Sequence, residues 1–261
     1  VREARFDVAR ALVLAERAFR RGGRLIYVGA GTSGRLGVLD AAEMPPTYGT
    51  DPSMVQGVIA GGHQALVQAQ EGAEDHPEDG AAEMDRLEVG EDDFVLGIAS
   101  SGTTPYVHGA LDCARARGAR TGFFLCTPPS DGLRNSHDVV IAALVGPDVV
   151  TGSTRMKAGT ATKLVLNTIT TGAMIRLGKV YGNLMVDLQV TCRKLQDRAE
   201  RMLVTLLGVD RSRATALLSD AGGHVKTALV MGKLGLDADQ ARQRLAAHEG
   251  VVARVLESAS K

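Results

Sequence analysis

Five short apolar runs are spaced through the first 144 residues: Arg24–Val28, Met54–Ala60, Phe94–Ala99, Thr121–Cys126 and Val139–Leu144. Each is of strand length, and most are followed by a stretch with helical spacing of its apolar residues. Strands that are apolar at nearly every position are buried on both faces. Parallel neighbours need crossover connections, so this alternation predicts a doubly wound α/β domain with a five-stranded parallel sheet. Helices are expected over residues 2–20, ended by Gly22-Gly23, then from Leu36 to a stop at Pro45-Pro46, from about Gly62 and from about Pro105. Beyond Gly152 the strand signals cease. Helices are expected over 155–177 and 184–207, and then over short segments at 211–219, 225–233 and 238–247, separated by glycines. This organisation predicts a sheet domain over 1–207 and a small all-helical domain over 208–261.

Composition narrows the function classes. Thirty basic and thirty acidic residues give zero net charge, which removes any chain-wide attraction for nucleic acid or acidic membranes. With five Phe, four Tyr and no Trp, a base-stacking platform is not expected. Cys113, Cys126 and Cys192 lack C-x-x-C spacing and are expected to be reduced thiols, neither disulfides nor zinc ligands. The longest apolar run, Leu164–Ile175, lies between Lys163 and Arg176 and is shorter than the ~18 residues of a membrane span. The first residues are charged (Arg2, Glu3, Arg5) and do not read as a signal peptide, so the cytoplasm is the expected compartment. The chain begins at Val1 rather than Met, and an upstream segment is expected.

Three loops combine glycines or hydroxyls with a place beyond a strand or ahead of a helix, where free N–H groups and the helix dipole favour anions. In Gly29-Ala-Gly-Thr-Ser-Gly34, Gly31 lets the backbone approach a ligand while Thr32 and Ser33 offer hydroxyls. A dinucleotide fingerprint would want an acid at the end of the second strand, where Gly61-Gly62 stands instead, so a phosphomonoester fits better. The second loop holds Ser100, Ser101, Thr103 and Thr104 just before Pro105, more hydroxyls than a helix cap needs. The third, Thr151–Lys157, carries Ser153, Arg155 and Lys157 ahead of a long helix, where cations are unfavourable unless an anion or carboxylate compensates them.

Two acidic sites stand out. Glu43 falls at the expected end of an apolar helix, where the macrodipole disfavours an acid. Glu71, Glu74 and Asp75 form a second cluster, within which residue physics does not choose. The six histidines show no H-x-x-x-H or H-E-x-x-H spacing, so no metal site is expected. No G-x-S-x-G elbow is present.

The runs Gly29–Gly49 (GAGTSGRLGVLDAAEMPPTYG), Ile59–Gly62, Glu71–Asp75 (EGAED), Ser100–Val107 (SSGTTPYV), Val149–Asn167 and Gly178–Asp187 (GKVYGNLMVD) resemble the N-acetylmuramic acid 6-phosphate etherase family. The resemblance covers essentially the whole chain. It implies a sugar isomerase (SIS) domain with a small ubiquitin-associated-like helical tail, a homodimer with active sites near the subunit interface, and no metal or organic cofactor. It also implies a phosphorylated amino sugar as substrate, cleaved at its lactyl ether to D-lactate and N-acetylglucosamine 6-phosphate in peptidoglycan recycling. Carried over by motif, Glu43 becomes the acid, its pKa raised by burial near the helix end, and Glu74 the base. Thr32, Ser33, Ser101 and Thr104 become the phosphate ligands. The sequence departs from the family's usual residues at Met44, Thr103 and Asp148.

Two alternatives use similar parts. Glucokinase regulatory protein, a non-catalytic sugar-phosphate sensor, shares the fold and much of the G-S-T-R-M-K stretch. An aldose–ketose phosphosugar isomerase also removes a C2 proton. Retention of both Glu43 and Glu74 and the presence of one SIS domain rather than two favour the etherase.

Overall fold

The computed structural model describes residues 1–187, 190 and 193–259. Two compact units are present, Val1–Glu43 with Asp51–Ala173, and Met44–Thr50 with Met174–Lys261.

The first unit contains the expected sheet. Strands β1 (Leu25–Gly29), β2 (Val55–Ile59), β3 (Phe94–Ile98), β4 (Arg120–Leu125) and β5 (Val139–Ala142) pair in parallel in the order β2-β1-β3-β4-β5. Successive side chains point to opposite faces, and both faces are covered. Ile26, Val28, Val95, Phe123 and Leu125 pack with Val107, Ala110, Leu111 and Ala114 of α4 (Pro105–Ala116) and with Met84 of α3 (Pro77–Arg86). Tyr27 and Ile98 lie on the other face, against α2 (Gly31–Tyr48): a Cβ at Gly37 would stand 2.9 Å from the Tyr27 Cβ and 3.4 Å from Ile98 Cδ1. Helices α1 (Arg5–Arg20) and α6 (Lys157–Arg176) meet where a Cβ at Gly172 would strike Leu12. A short α5 (Asp131–Ser136) is capped by the Ser130 hydroxyl.

Several expectations need correction. α2 does not stop at Pro45-Pro46 but runs to Tyr48, and its ladder resumes beyond the prolines with the Gly49 N–H on the Pro45 carbonyl at 2.9 Å. No helix starts at Gly62. Gly61, Gly62 and Gly72 all take positive φ, so this stretch forms only single 3₁₀ turns at His63–Leu66 and Ala73–Asp75. The crossover helix after β2 is α3, started by Pro77 at its first position.

The second unit is helical: α7 (Arg193–Leu207), α8 (Arg211–Asp220), α9 (Val225–Leu234), α10 (Ala238–Ala247) and an additional α11 (Val252–Ala259). Residues 184–187 are not helical as expected: Tyr181 and Leu184 close a tight bridge, each N–H on the other's carbonyl. Ala199, Met202 and Leu203 of α7 share one core with Leu217, Ala228, Leu229, Leu245 and Val255. The second unit takes in Met174–Lys261, and α7 buries its apolar face with the helices that follow it. Cys192 lies outside the described residues; Cys113 and Cys126 are free thiols. No helix among the described residues is long and apolar enough to cross a membrane.

Candidate active site

Strand order 2-1-3-4-5 reverses direction between β1 and β3, and ligands of open α/β sheets bind beyond the strand ends at such a point. The loops after β1 and β3 are two of the three segments singled out from the sequence. Gly31 takes φ +52° and opens α2, which places Thr32 and Ser33 in its first turn, where N–H groups have no intrahelical acceptor. Gly34 permits the close entry: a Cβ there would lie 2.6 Å from Ile59 Cγ1 and 2.8 Å from the Gly29 carbonyl oxygen.

In the second loop Ser101 Oγ and Thr103 Oγ1 are 2.9 Å apart, and Ser101 Oγ accepts the Thr103 N–H at 3.3 Å. Thr104 occupies the N-cap of α4 without a side-chain capping bond, so its hydroxyl is not used as a cap. The Ser100 carbonyl accepts the Cys126 N–H at 2.9 Å, which ties this loop to the end of β4. Burial pushes the Cys126 thiol up to about 11, against hydrogen bonds to Ser100 and Thr162 that lower it. A cleft of about 570 Å³ is lined by Ser101, Gly102, Thr103, His108, Ser130 and Leu133, among others.

The helix that follows the third segment, α6, reaches the first loop, since a Cβ at Gly159 would lie 3.6 Å from Thr32 Cγ2. The start of α6 is tied to the preceding loop within the chain. Asp148 Oδ1 accepts the Lys157 N–H at 2.6 Å, and the Lys157 ammonium donates to the Val145 carbonyl at 3.0 Å. Lys157 is thus held by its own loop, and Ser153 is half-buried with its N–H on the Val150 carbonyl at 3.0 Å.

Of the acids, Glu74 lines a small cleft of about 140 Å³ with Gly31, Arg35, Gln70, Glu71 and Gly72. The Arg35 guanidinium is steadied by its Nε–H on the Leu66 carbonyl at 3.2 Å. The cluster stands ahead of α3, where the dipole favours acids. Glu43 is placed differently. With α2 running to Tyr48 it lies a full turn inside the helix, which removes the argument from the helix end; it is exposed and not among the residues lining the Glu74 cleft. The burial expected of Glu43 is therefore not found in this chain.

Sequence reasoning missed Asp40, one turn before Glu43 and only 5% exposed. Tyr27 OH donates to its Oδ2 at 2.9 Å, and Asn167 Nδ2 and Thr170 Oγ1 donate to Oδ1 at 2.5 and 3.2 Å. Burial pushes its carboxyl above the ordinary range despite the three donors and the charge of Lys163, which lower it. These bonds fix the register of α2 against β1 and α6. The only signal in the sequence was an acid inside an apolar helical stripe.

Among the described residues no group of three or more His, Cys, Asp or Glu is arranged to hold a metal ion. The family model described as the glucokinase regulatory protein N-terminal SIS domain matches residues 7–115. A solved structure from Bacteroides fragilis, assigned as a phosphosugar isomerase involved in capsule formation, superposes with TM-score 0.51 at 20% identity over 68% of this chain and 82% of its own, a likeness of fold. Relatives named N-acetylmuramic acid 6-phosphate etherase are far more similar. One from Synechococcus elongatus is 56% identical over 88% of this chain and 75% of its own length. One from Salinibacter ruber is 54% identical over 96% and 80%, and one from Gloeobacter violaceus 53% identical over 100% and 85%. With that identity sustained along the chain, on a sheet whose switch point carries the hydroxyl loops and Glu74, the chain belongs to the N-acetylmuramic acid 6-phosphate etherase family.

Proposed function

We propose that this chain cleaves the D-lactyl ether of N-acetylmuramic acid 6-phosphate, giving D-lactate and N-acetylglucosamine 6-phosphate. The observation that carries this reading is the shared cleft of Glu74 and Gly31 at the switch point, beside the first turn of α2. There the N–H groups of the α2 turn and the hydroxyls of Thr32 and Ser33 take the phosphate on one side, and Ser101 and Thr104 on the other. Ser100, Thr103, Ser153 and Lys157, in the same loops, complete the phosphosugar-binding set in this reading.

The open-chain aldehyde acidifies the C2 proton. Glu74 removes it, the C3–O bond breaks, and Glu43 protonates the departing lactate. Water then adds to the unsaturated aldehyde, its oxygen to C3 and a proton to C2. Each positioned acid or base contributes about 10²–10⁴-fold. No step calls for an added cofactor.

A homodimer belongs to this reading. Leu39, on the same face of α2 as Glu43, is 51% exposed, and Leu164 of α6 is 49% exposed. A second subunit covering this apolar surface would supply the burial that Glu43 lacks and that an acid at neutral pH requires. The balanced charge fits a small-molecule substrate rather than nucleic acid or membrane, and a cytoplasmic role in peptidoglycan recycling follows from the substrate.

The test is D-lactate release from N-acetylmuramic acid 6-phosphate by the purified protein. Release supports the reading. Tight phosphosugar binding without turnover would favour the sensor, in keeping with the family model matched over residues 7–115.

A further inference from the structure

Arg35 plays no part in the chemistry above, yet among the described residues it is the one cation lining the cleft that holds Glu74. It stands one turn after Gly31 on the same face of α2, and helical side chains lean toward the N-terminus, so Arg35 is directed back over Gly31. The space there is open: a Cβ added at Gly31, or at Gly72 in the same cleft, would meet no atom within 4 Å. The Nε–H on the Leu66 carbonyl, beside Ala65 of the cleft wall, restrains the half-buried guanidinium.

The far end of that guanidinium is unused. Among the described residues its two terminal nitrogens donate to no acceptor and no carboxylate pairs with it, although Glu71 and Glu74 line the same cleft. Arginines with a framework role in this chain end on a carboxylate, as Arg24 does on Asp93 at 2.6 Å and Arg120 on Asp138 at 2.8 Å. The cleft also sets two carboxylates against one cation. An anionic substrate would be repelled there unless the cation met its charge directly.

Resting on the etherase reading above, we propose that Arg35 is a specificity-determining residue that binds the lactyl carboxylate of the substrate. The substrate carries two anions. The phosphate is met by the first turn of α2 and the hydroxyls, whereas the carboxylate belongs to the arm on C3, next to the C2 carbon from which Glu74 takes its proton. A cleft that brings C2 to Glu74 therefore brings this arm with it. With Nε engaged on Leu66, the two terminal nitrogens present the end of the fork, which matches the two oxygens of a carboxylate. A cleft of about 140 Å³ admits this short acidic arm rather than a whole sugar. A hexosamine phosphate without the arm offers Arg35 nothing to bind, which separates the ether substrate from the product.

The experiment measures, by calorimetry, the binding of N-acetylmuramic acid 6-phosphate and of N-acetylglucosamine 6-phosphate, which lacks the lactyl arm. The full chain carries Glu74→Gln, so that turnover does not intervene. Adding Arg35→Met should weaken N-acetylmuramic acid 6-phosphate by about tenfold or more, the equivalent of one charge-assisted hydrogen bond, and leave N-acetylglucosamine 6-phosphate within about twofold. Arg35→Lys, which keeps the charge without the fork, should fall between. Equal weakening of both sugars would overturn the proposal, because Arg35 would then serve the phosphate or the shape of the loop. Unchanged affinity for both would overturn it too. Retained binding of N-acetylglucosamine 6-phosphate reports that Arg35→Met is folded, and if it is not, the same pair of affinities in Arg35→Lys decides. The etherase reading fails separately, on absent lactate release by the unaltered chain.

Discussion

Replacing Asp40 by alanine removes the acceptor for three donors at once, and the structure allows the cost to be ranked. Tyr27 is fully buried, so its hydroxyl would be left without a partner, at about 1–3 kcal/mol. Thr170 keeps a second acceptor, the Leu166 carbonyl at 3.1 Å, and loses little. Asn167 is only part-buried around its amide and loses about 1 kcal/mol. The removed carboxylate also leaves a small void, while relief from burying a charge works in the other direction. The net expectation for Asp40→Ala is about 2–4 kcal/mol, a large share of the ~5–15 kcal/mol of a typical domain. Asp40→Asn keeps one oxygen for Tyr27, and Asn167 can turn its own amide oxygen toward the new NH₂, so about 1 kcal/mol or less is expected. Tyr27→Phe should fall between them. The assay is urea unfolding of the three variants at neutral pH, which reads stability from midpoint and slope. A pH series adds a sign. The folded carboxyl titrates above its unfolded value near 4, so its contribution is full below that pH and is lost as pH rises through the folded value; Asp40→Asn should abolish this component. An Asp40→Asn variant as unstable as Asp40→Ala would refute the reasoning, because it would mean that the charge, through Lys163, matters more than the hydrogen bonds.

Other perturbations separate chemistry from framework. Glu43→Gln and Glu74→Gln should each lower lactate release by at least about 10²-fold with unchanged melting temperature, since each swap preserves volume and removes only proton transfer; undiminished release by either would remove that residue from the mechanism. Gly34→Ala should destabilise by about 1–3 kcal/mol and raise KM, because its Cβ meets Ile59 Cγ1 and the Gly29 carbonyl, and calorimetry beside kinetics would check both. His137, its pKa pulled down to about 4 by burial beside Phe123, should make the protein less stable as pH falls from about 6.5 to about 4, by about 1–2 kcal/mol once its partial exposure is allowed for. A melting curve of His137→Gln that keeps the full wild-type pH dependence would contradict this.

The sheet was legible because each strand is apolar at nearly every position, a pattern that only two-sided burial explains. The hydroxyl loops were legible for the same reason, since the motif follows the strand. What failed was punctuation. Two prolines at 45 and 46 read as a stop, yet α2 continues past them, and with that the argument from Glu43's place at a helix end is lost. Gly61-Gly62 read as a helix start where positive φ values prevent one. Asp40 was invisible because its partners, Asn167 and Thr170, lie about 130 residues away and no local pattern announces them. Arg35 was hidden likewise, an ordinary arginine until the fold sets it in the cleft of Glu74.

The central claim is that this chain breaks the lactyl ether by proton removal at C2. The most direct test is turnover of N-acetylmuramic acid 6-phosphate in deuterated water, with D-lactate and the isotope content of the sugar product measured in the same sample. The account predicts stoichiometric D-lactate and one deuterium at C2 of N-acetylglucosamine 6-phosphate. Lactate released with C2 still carrying its original hydrogen would contradict it, because cleavage would then proceed without the base that Glu74 is held to be.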